Sequence, residues 1–245
     1  MEVLGIDIGG SGIKGAIVDT VSGEFATERL RIDTPQPSKP AAVAAVVGEI
    51  SAHFNWQSAI GCTVPAVVKR GVTMTAANID SAWIGTDAKS LLEKETGNPV
   101  IVLNDADAAG IAEMRFGAGR ERDGLVAILT LGTGIGSSLF IDGRLVPNTE
   151  LGHLIIRGKD AEERATDRAR QERGYSWKQW GKRVSEYLEY LESLITPDLF
   201  IIGGGVSKRY QKFFPYIKCK TEIVPARLRN RAGIVGAAVA AIDLV

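Results

Sequence analysis

The chain has 245 residues, of which 45% are hydrophobic and 24% are charged, and its 29 basic residues balance 29 acidic ones. This composition is typical of a globular protein with a substantial apolar core in one or two domains. The sequence has no run of 18 apolar residues and no basic segment before its first strand, so we expect no membrane span, no signal peptide and a cytoplasmic location. Cys62 and Cys219 belong to no C-x-x-C pair, which excludes a cysteine zinc site.

The first residues predict a β-hairpin around a glycine turn. Strands are predicted over Val3–Ile8 and Ile13–Val18, with Asp7 at the end of the first and Lys14 inside the second. Glycines lack a Cβ atom, so backbone N–H groups can approach a bound anion closely; here they are Gly9, Gly10, Gly12 and Gly15. An ordinary hairpin is the alternative interpretation.

Strands and helices then alternate. The predicted elements are a strand over Phe25–Ile32, a helix over Ala41–Phe54, a strand over Ala59–Val64, a strand or loop over Val67–Thr75, an irregular segment over Asn78–Gly85, a helix over Asp87–Thr96, a strand over Val100–Leu103 and a helix over Ala106–Phe116.

A second hairpin, Ile128–Asp142, repeats the strand, glycine turn and strand of the first. Gly9 aligns with Gly132, and Asp19 aligns with Asp142, in each case ten residues later. Neither copy is a P-loop or a G-x-G-x-x-G turn that enters a helix. The repeat predicts two related domains whose hairpins close on one phosphate chain in a cleft.

The C-terminal part predicts two further helices and a strand. Lys159–Arg173 is highly charged and is expected to have almost nothing to bury, so it is either a surface helix or a mobile segment. Ser176–Leu194 has apolar residues at helical spacing, and the apolar strand Leu199–Ile202 stops at Gly203–Gly205. A helix of small residues is predicted over Ala232–Leu244. This alternation of strands and helices is typical of an α/β fold.

Basic residues are concentrated in this C-terminal part. Between Lys208 and Arg231, eight Lys and Arg residues accompany a single acidic residue, Glu222. The tract is either a solvated face or a surface that binds a polyanion. The sequence has no helix-turn-helix, zinc finger or aromatic-rich RNA motif, so we expect no nucleic acid partner.

Several polar residues follow the predicted strands, where ligands of α/β sheets bind. Asp7 is suited to hold Mg²⁺, directly or through water, although a turn cap is the alternative. Lys14 is either a phosphate contact or a solvated edge lysine. Asn104-Asp105 is either a helix N-cap or the place of a general base. Glu150 and His153 are either a metal pair or a site for substrate hydroxyls.

Together these motifs resemble the ROK family of sugar kinases. The matching residues are Ile6–Asp19, Gly61–Pro65, Asn78, Asn104–Ala109, Leu131–Gly136, Glu150–His153, Gly203–Gly205 and Ala232–Ala237. The resemblance implies an actin-like, hexokinase-like (ribonuclease H-like) duplicated two-domain α/β fold with the active site in the interdomain cleft. The domains would be 1–104 joined by the C-terminal helix 232–245, and 105–231.

The resemblance also implies residue roles. Asp105 would be the catalytic base for the sugar's 6-hydroxyl. The sugar pocket would contain Asn78, Asn104, Asp105, Glu150 and His153. The phosphate donor would contact Asp7, Gly9, Gly10, Ser11, Lys14, Gly132, Thr133, Gly134, Gly204 and Gly205, with Mg²⁺ near Asp7.

One departure from the family pattern narrows the expected donor. Most ROK glucokinases have a cysteine-rich zinc loop after the Glu-x-Gly-His motif, but here Arg157–Arg173 contains no cysteine, so we expect no zinc. In lacking the zinc loop, the chain is similar to the bacterial polyphosphate glucokinase and polyphosphate/ATP glucomannokinase types. We therefore expect a homodimeric enzyme that phosphorylates glucose, with mannose as a further substrate, from polyphosphate with or without ATP.

Three alternatives are considered at this point. A non-catalytic sugar-binding protein is disfavoured because it would have little reason to keep Asp7, both hairpins and Asp105. An ATP-only hexose kinase for glucose, mannose or an N-acetyl sugar is the alternative within the family. A ROK repressor is disfavoured because the first hairpin begins at residue 3, which leaves no room for a DNA-binding domain before it.

Overall fold

A computed structural model describes residues 1–244 as two compact units. Unit 1 contains Met1–Ala112 and the described residues from Arg231 onward, and unit 2 contains Glu113–Asn230. The predicted domain bounds, after residues 104 and 231, stay a prediction. Residue 245 of the predicted segment 232–245 lies outside the described residues.

Strands and helices alternate along the chain. In order they are β1 (Glu2–Ile8), β2 (Ile13–Asp19), β3 (Glu24–Phe25), β4 (Leu30–Ile32), α1 (Pro40–His53), β5 (Ile60–Val64), β6 (Val68–Lys69), β7 (Val72–Thr73), α2 (Ala88–Thr96), β8 (Val100–Asn104), α3 (Asp105–Phe116), β9 (Leu125–Leu131), β10 (Ile135–Ile141), β11 (Arg144–Val146), β12 (Ile155–Ile156), β13 (Lys159–Asp160), α4 (Glu162–Ala165), α5 (Asp167–Glu172), α6 (Trp177–Ile195), β14 (Leu199–Gly203), β15 (Glu222–Pro225) and α7 (Ala232–Ala240). Short 3-10 helices lie at Ser81–Trp83, Leu151–His153, Gly205–Lys212, Phe214–Tyr216, Arg229–Arg231 and Ile242–Leu244.

The main sheets of the two units repeat one topology. Unit 1 has the strand order β3-β2-β1-β5-β8, with β4 also paired to β2, and unit 2 has the order β11-β10-β9-β14-β15. In each sheet an antiparallel hairpin is followed by two parallel strands. The internal repeat predicted from the two hairpins is therefore confirmed.

The two hairpins differ by one residue in the turn. Ile8 pairs with Ile13 in the first hairpin, whereas Leu131 pairs with Ile135 in the second. The predicted alignment of Gly9 with Gly132 holds, but the alignment of Asp19 with Asp142 is wrong. The second turn is shorter, so Asp142 lies just beyond the end of β10.

Unit 1 is built around the close packing of α7 on the sheet. A Cβ atom on Gly61 of β5 would lie 1.8 Å from the carbonyl oxygen of Ala237, and one on Gly236 would lie 1.7 Å from that of Ala108 in α3. Only residues without a side chain allow this approach. The small-residue helix predicted over Ala232–Leu244 is shorter, since α7 ends at Ala240 before the last 3-10 turn.

Unit 2 is built around α6, as its apolar spacing predicts. The helix begins with a capping box between Ser176 and Gln179. Its buried face, Trp180, Val184, Tyr187, Leu188 and Leu191, shares one core with Leu129, Phe200 and Ile202 of the sheet.

Two predicted elements are corrected by the structure. The single strand over Phe25–Ile32 is two short strands, because the Thr27 hydroxyl accepts the N–H of Ile17 at 3.1 Å where a strand would offer a carbonyl. The expectation that Lys159–Arg173 has almost nothing to bury is wrong. The segment forms β13, α4 and α5, and its alanines are buried at positions 161, 165 and 169.

Among residues 1–244, the structure contains no helix of the length and apolar character that crossing a membrane requires.

Candidate active site

The parallel strands of unit 1 bring several predicted residues to one edge of the sheet. Asp7 of β1 lies in register with Thr63 of β5, which in turn is in register with Leu103 of β8. Asn104 and Asp105 follow immediately on the chain. Ligands of α/β sheets bind at this carboxyl edge.

Asp7 is held in a fixed orientation. Its Oδ2 atom lies 3.1 Å from Lys14 Nζ, and its Oδ1 atom accepts a hydrogen bond from the Thr63 hydroxyl at 3.0 Å. A Cβ atom on Gly233 would lie only 3.2 Å from Oδ1, so the N-terminus of α7 is adjacent to the carboxylate. Two sources of positive potential therefore lie beside this carboxylate, the Lys14 ammonium and the N-terminal end of the α7 dipole.

The first glycine turn has its carbonyl groups fixed by side chains. Gly9 O accepts from Thr34 at 2.5 Å, Gly10 O from Gln36 at 3.1 Å and Ser11 O from Arg31 at 3.1 Å. Within residues 1–244, the N–H groups of Gly10 and Ser11 have no acceptor. Those two N–H groups are therefore available to an anion.

Asn78, a predicted sugar contact, packs against this turn. A Cβ atom on Gly10 would lie 2.5 Å from the Asn78 carbonyl oxygen, so glycine is required there. Asn78 is exposed and has a φ of 60°, in the left-handed region that asparagine tolerates better than most residues. The structure thus brings Asn78 and the first glycine turn together.

The structure assigns the N-cap of α3 to Asn104. Its Oδ1 accepts the N–H groups of Ala106 at 2.8 Å and Asp107 at 3.1 Å, and its Nδ2 donates to Ala66 O at 3.1 Å. Asp105 is the first residue of α3 and is half-buried. Asp105 Oδ1 also accepts the Ala106 N–H, at 2.9 Å, so both side chains bond the first turn of α3 and the cap alternative stays open for Asp105.

In unit 2 the second and third glycine turns lie together. A Cβ atom on Gly204 would lie 2.6 Å from the carbonyl oxygen of Leu131, which directly precedes Gly132. Gly204 also has a φ of 81°, which favours glycine. The Gly132 N–H donates to Gly134 O at 3.0 Å across the turn, and Thr133 between them is exposed.

Glu150 and His153 form a partly exposed pair with Asp160. His153 Nδ1 lies 2.9 Å from Asp160 Oδ2, while His153 Nε2 lies 3.9 Å from Glu150 Oε2. The hydrogen bond to Asp160 raises the pKa of His153 above 6.5. Partial burial raises the pKa of Glu150, partly offset by His153. The metal-pair alternative gains no support, since no group of three or more His, Cys, Asp or Glu within residues 1–244 is arranged to hold a metal ion.

Three residues near these sites were not predicted from the sequence. Thr63 hydrogen-bonds Asp7, and its place at the end of a predicted strand could have indicated it. Asp160 and Glu162 lie in the charged segment, where no periodicity distinguishes them. Glu162 Oε1 accepts the Ile135 N–H at 2.6 Å and lies 3.3 Å from where a Cβ on Gly152 would be, so it joins the second turn to the Glu-x-Gly-His motif.

Comparison with known proteins adds an independent line of evidence. The sequence model of the ROK family matches residues 3–172 of this chain. The chain is 49% identical over 239 residues to a polyphosphate glucokinase of Mycobacterium tuberculosis (strain CDC 1551 / Oshkosh), covering 97% of this chain and 90% of that protein.

Two solved structures are also similar to this chain. The inorganic polyphosphate/ATP-glucomannokinase of Arthrobacter sp. strain KM is 50% identical with a TM-score of 0.91, covering 98% of this chain and 97% of that one. A ROK family glucokinase of Streptomyces griseus, solved in complex with glucose and AMPPNP, is 25% identical with a TM-score of 0.84, covering 99% and 100%. The predicted actin-like, hexokinase-like α/β fold is confirmed.

Proposed function

Because the chain belongs to the ROK family, we propose that it transfers the terminal phosphoryl group of inorganic polyphosphate to the 6-hydroxyl of glucose. The product is glucose 6-phosphate. The observation that carries this proposal is the carboxyl edge of the unit 1 sheet. There Asp7 is in register with Thr63, Asp105 follows the next strand, and the glycine turn after β1 has two available N–H groups. The names of the relatives at 49% and 50% identity support the donor and the sugar.

Asp105 is the proposed general base. Phosphoryl transfer depends mainly on positioning and on charge stabilisation, with a carboxylate that accepts the proton of the attacking hydroxyl. As the first residue of α3, Asp105 has a backbone position fixed by the Asn104 cap. Its carboxylate would receive the proton of the sugar's 6-hydroxyl while the oxygen attacks the terminal phosphorus atom. The bond from that phosphorus to the bridging oxygen would break, and polyphosphate shortened by one phosphate would leave with the bridging oxygen.

The glycine turns are the proposed donor site. Backbone N–H groups of Gly10 and Ser11 in unit 1 would bind phosphate oxygens, as would the turns at Gly132–Gly134 and Gly204-Gly205 in unit 2. Lys14 would contribute charge through Asp7, to which it is paired at 3.1 Å. The location of the reaction in a cleft between two domains stays a prediction.

Mg²⁺ is the proposed cofactor, and the residues at Asp7 fit it. This ion keeps several waters and is commonly bound through one or two carboxylates together with substrate phosphates. Asp7 supplies one oriented carboxylate, and the hydroxyl of Thr63 lies beside it. When bound, Mg²⁺ would neutralise charge on the donor phosphates. We propose no zinc site.

The sugar site is proposed to contain Asn78, Asn104, Asp105, Glu150 and His153. Carboxylate and imidazole groups can accept and donate hydrogen bonds to several hydroxyls at once. His153 is oriented by Asp160, which leaves its Nε2 on the side of Glu150. Mannose is proposed as a second sugar, on the basis of the glucomannokinase relative.

Replacement of Asp105 tests the proposed base. Asp105→Asn keeps the shape of the side chain but cannot accept the proton, so we expect turnover with polyphosphate and glucose to fall by roughly 10²–10⁴-fold. The matched control is Asp123→Asn, an exposed aspartate outside the proposed sites. Urea unfolding of each variant shows whether folding is intact. Turnover of Asp105→Asn within a few-fold of the control would refute the base role.

Donor preference and assembly need separate measurements. An ATP-only hexose kinase would give glucose 6-phosphate from ATP and none from polyphosphate in a coupled assay. We propose ATP as an additional donor because both named structures are of enzymes associated with ATP or its analogue.

A cytoplasmic homodimer is also proposed. Both cysteines are free thiols, which supports a reducing compartment, and light scattering of the purified protein tests the dimer.

A further inference from the structure

A cavity of about 390 Å³ in unit 2 is lined by four basic side chains. They are Arg122, Lys208, Arg227 and Arg229, and none of the residues that line this cavity is acidic. We call it the cationic cavity. It adjoins the third glycine turn, since the lining residue Ala226 donates its N–H to Ile202 O at 2.9 Å, next to Gly203.

Three of these four charges have no counter-charge. Arg122 forms two hydrogen bonds of 2.9 Å with the carboxylate of Glu222 and is therefore neutralised. Within residues 1–244, by contrast, Lys208, Arg227 and Arg229 have neither an ion pair nor a side-chain hydrogen bond. Three unmatched cations around one cavity favour an anion that carries several charges.

The walls of the cavity are fixed by a buried carboxylate. Glu113 is 2% exposed, and its two oxygens accept the N–H of Ala118 at 2.9 Å and the N–H of Leu228 at 2.7 Å. Ala118 lines the cavity, and Leu228 lies between its two arginines. Glu113 therefore connects the backbone of two walls of the cavity, including the segment that carries Arg227 and Arg229.

The backbone at Arg229 is strained. Its φ of 55° lies in the left-handed region, which is uncommon for residues other than glycine, asparagine and aspartate. Such strain persists where the surrounding structure fixes it, and it often marks a binding site. Here the Glu113 contact to Leu228 fixes the preceding residue.

We propose that the cationic cavity binds the phosphates of the polyphosphate chain that follow the transferred group. This inference rests on the proposed function. The third glycine turn would bind phosphates near the reacting end, and the adjoining cavity would bind the next ones. Lys208, Arg227 and Arg229 are exposed, which suits a chain that continues into solvent. The basic tract over Lys208–Arg231 would then act through these cavity residues rather than through its charge as a whole.

The experiment removes two charges inside the cavity and two outside it. Arg227→Gln/Arg229→Gln is compared with Lys218→Gln/Lys220→Gln, which lie in the same tract but do not line the cavity. We expect the cavity variant to raise the Michaelis constant for polyphosphate roughly tenfold at low salt, and the control to change it less than about twofold.

The salt dependence is a second readout. Each phosphate contact contributes about 0.7–0.9 to the slope of log affinity against log salt concentration in nucleic acid binding. Loss of two such contacts should make the slope shallower by about 1.4–1.8 for the cavity variant alone. An equal effect in both variants, or none in either, would overturn the proposal.

Two further arms separate this inference from the proposed function. Calorimetric titration with polyphosphate, without sugar, measures binding even if the parent protein makes no glucose 6-phosphate. Failure of turnover with intact, cavity-dependent binding would refute the function and support the cavity. A cavity variant that loses affinity for ATP but not for polyphosphate would show a nucleotide site and overturn the inference.

Discussion

Replacement of Gly236 by alanine should damage both stability and catalysis, because α7 packs on the helix that begins with Asp105. The new Cβ atom would lie 1.7 Å from the carbonyl oxygen of Ala108, whereas real Cβ contacts begin near 3.0 Å. The two helices must therefore separate by at least 1.3 Å at this point. α7 is itself held against β1 and β5 by equally close contacts at Gly5 and Gly61, so the first turn of α3 is expected to move.

The stability change follows from two opposing effects. Alanine in a helix interior is favoured over glycine by about 1 kcal/mol. Overpacking of a core costs about 1–3 kcal/mol and more when backbone must move, as it must against a carbonyl oxygen. We therefore expect Gly236→Ala to lower the free energy of unfolding by about 2 kcal/mol. The displacement also moves Asp105, and a misplacement of about 1 Å can reduce turnover roughly 10²-fold.

Gly48→Ala in α1 is the matched control. There the nearest atom to the new Cβ is Cγ of the flexible Glu95 side chain at 3.0 Å, which can move at little cost. The helix-propensity gain should then dominate, and stability should rise by up to about 1 kcal/mol. Urea unfolding measures both variants, and a coupled glucose 6-phosphate assay measures turnover. A Gly236→Ala variant as stable and active as Gly48→Ala would show that the α7 contacts are not as close as described.

Two further predictions concern the Glu-x-Gly-His motif. Asp160→Asn should lower the pKa of His153, which NMR can follow because the chain has only one other histidine, His53. Because the folded pKa is raised, the stability that Asp160 provides should be fully present below about pH 6.5 and disappear as pH rises through the folded pKa; a constant difference from the parent would contradict this. The raised pKa of Glu150 means that its ionised form is disfavoured by folding, so Glu150→Gln should be more stable than the parent at pH 7, with the difference vanishing below about pH 4.5. The same variant should bind glucose more weakly, and unchanged affinity would refute the proposed role of Glu150 in the sugar site.

The elements that carry a periodic pattern could be predicted from the sequence. Short apolar strands around glycine turns predicted both hairpins, and apolar residues at helical spacing predicted α6 with its buried face. The shorter turn of the second hairpin could not be predicted, because glycine-rich turns of three and four residues have the same composition. Which of Asn104 and Asp105 caps α3 also depends on atomic positions, since both residue types are favoured at N-caps.

Contacts made by single polar side chains had no pattern to reveal them. Glu113 lies in an alanine-rich helix whose sequence predicts only ordinary core packing, yet its carboxylate joins two walls of a cavity. The eight basic residues of the C-terminal tract look equivalent in the sequence. In the structure Arg231 pairs with Glu24, and Lys212 lies over the Trp177 ring, so composition overstates the charge available to a ligand.

The charged segment also shows how this chain orients His153 without a zinc loop. A histidine ring needs one nitrogen held in place if the other is to contact a substrate, and a metal ion or a carboxylate can supply that bond. Asp160 supplies it here at 2.9 Å, from strand β13, which pairs with β12 two residues after His153. Burial of Ala161 and Ala165 fixes that strand pair to the core of unit 2, so apolar contacts stabilise the segment. A carboxylate also leaves His153 able to titrate, so the proposed sugar site should be sensitive to pH where a metal-bound imidazole would not be.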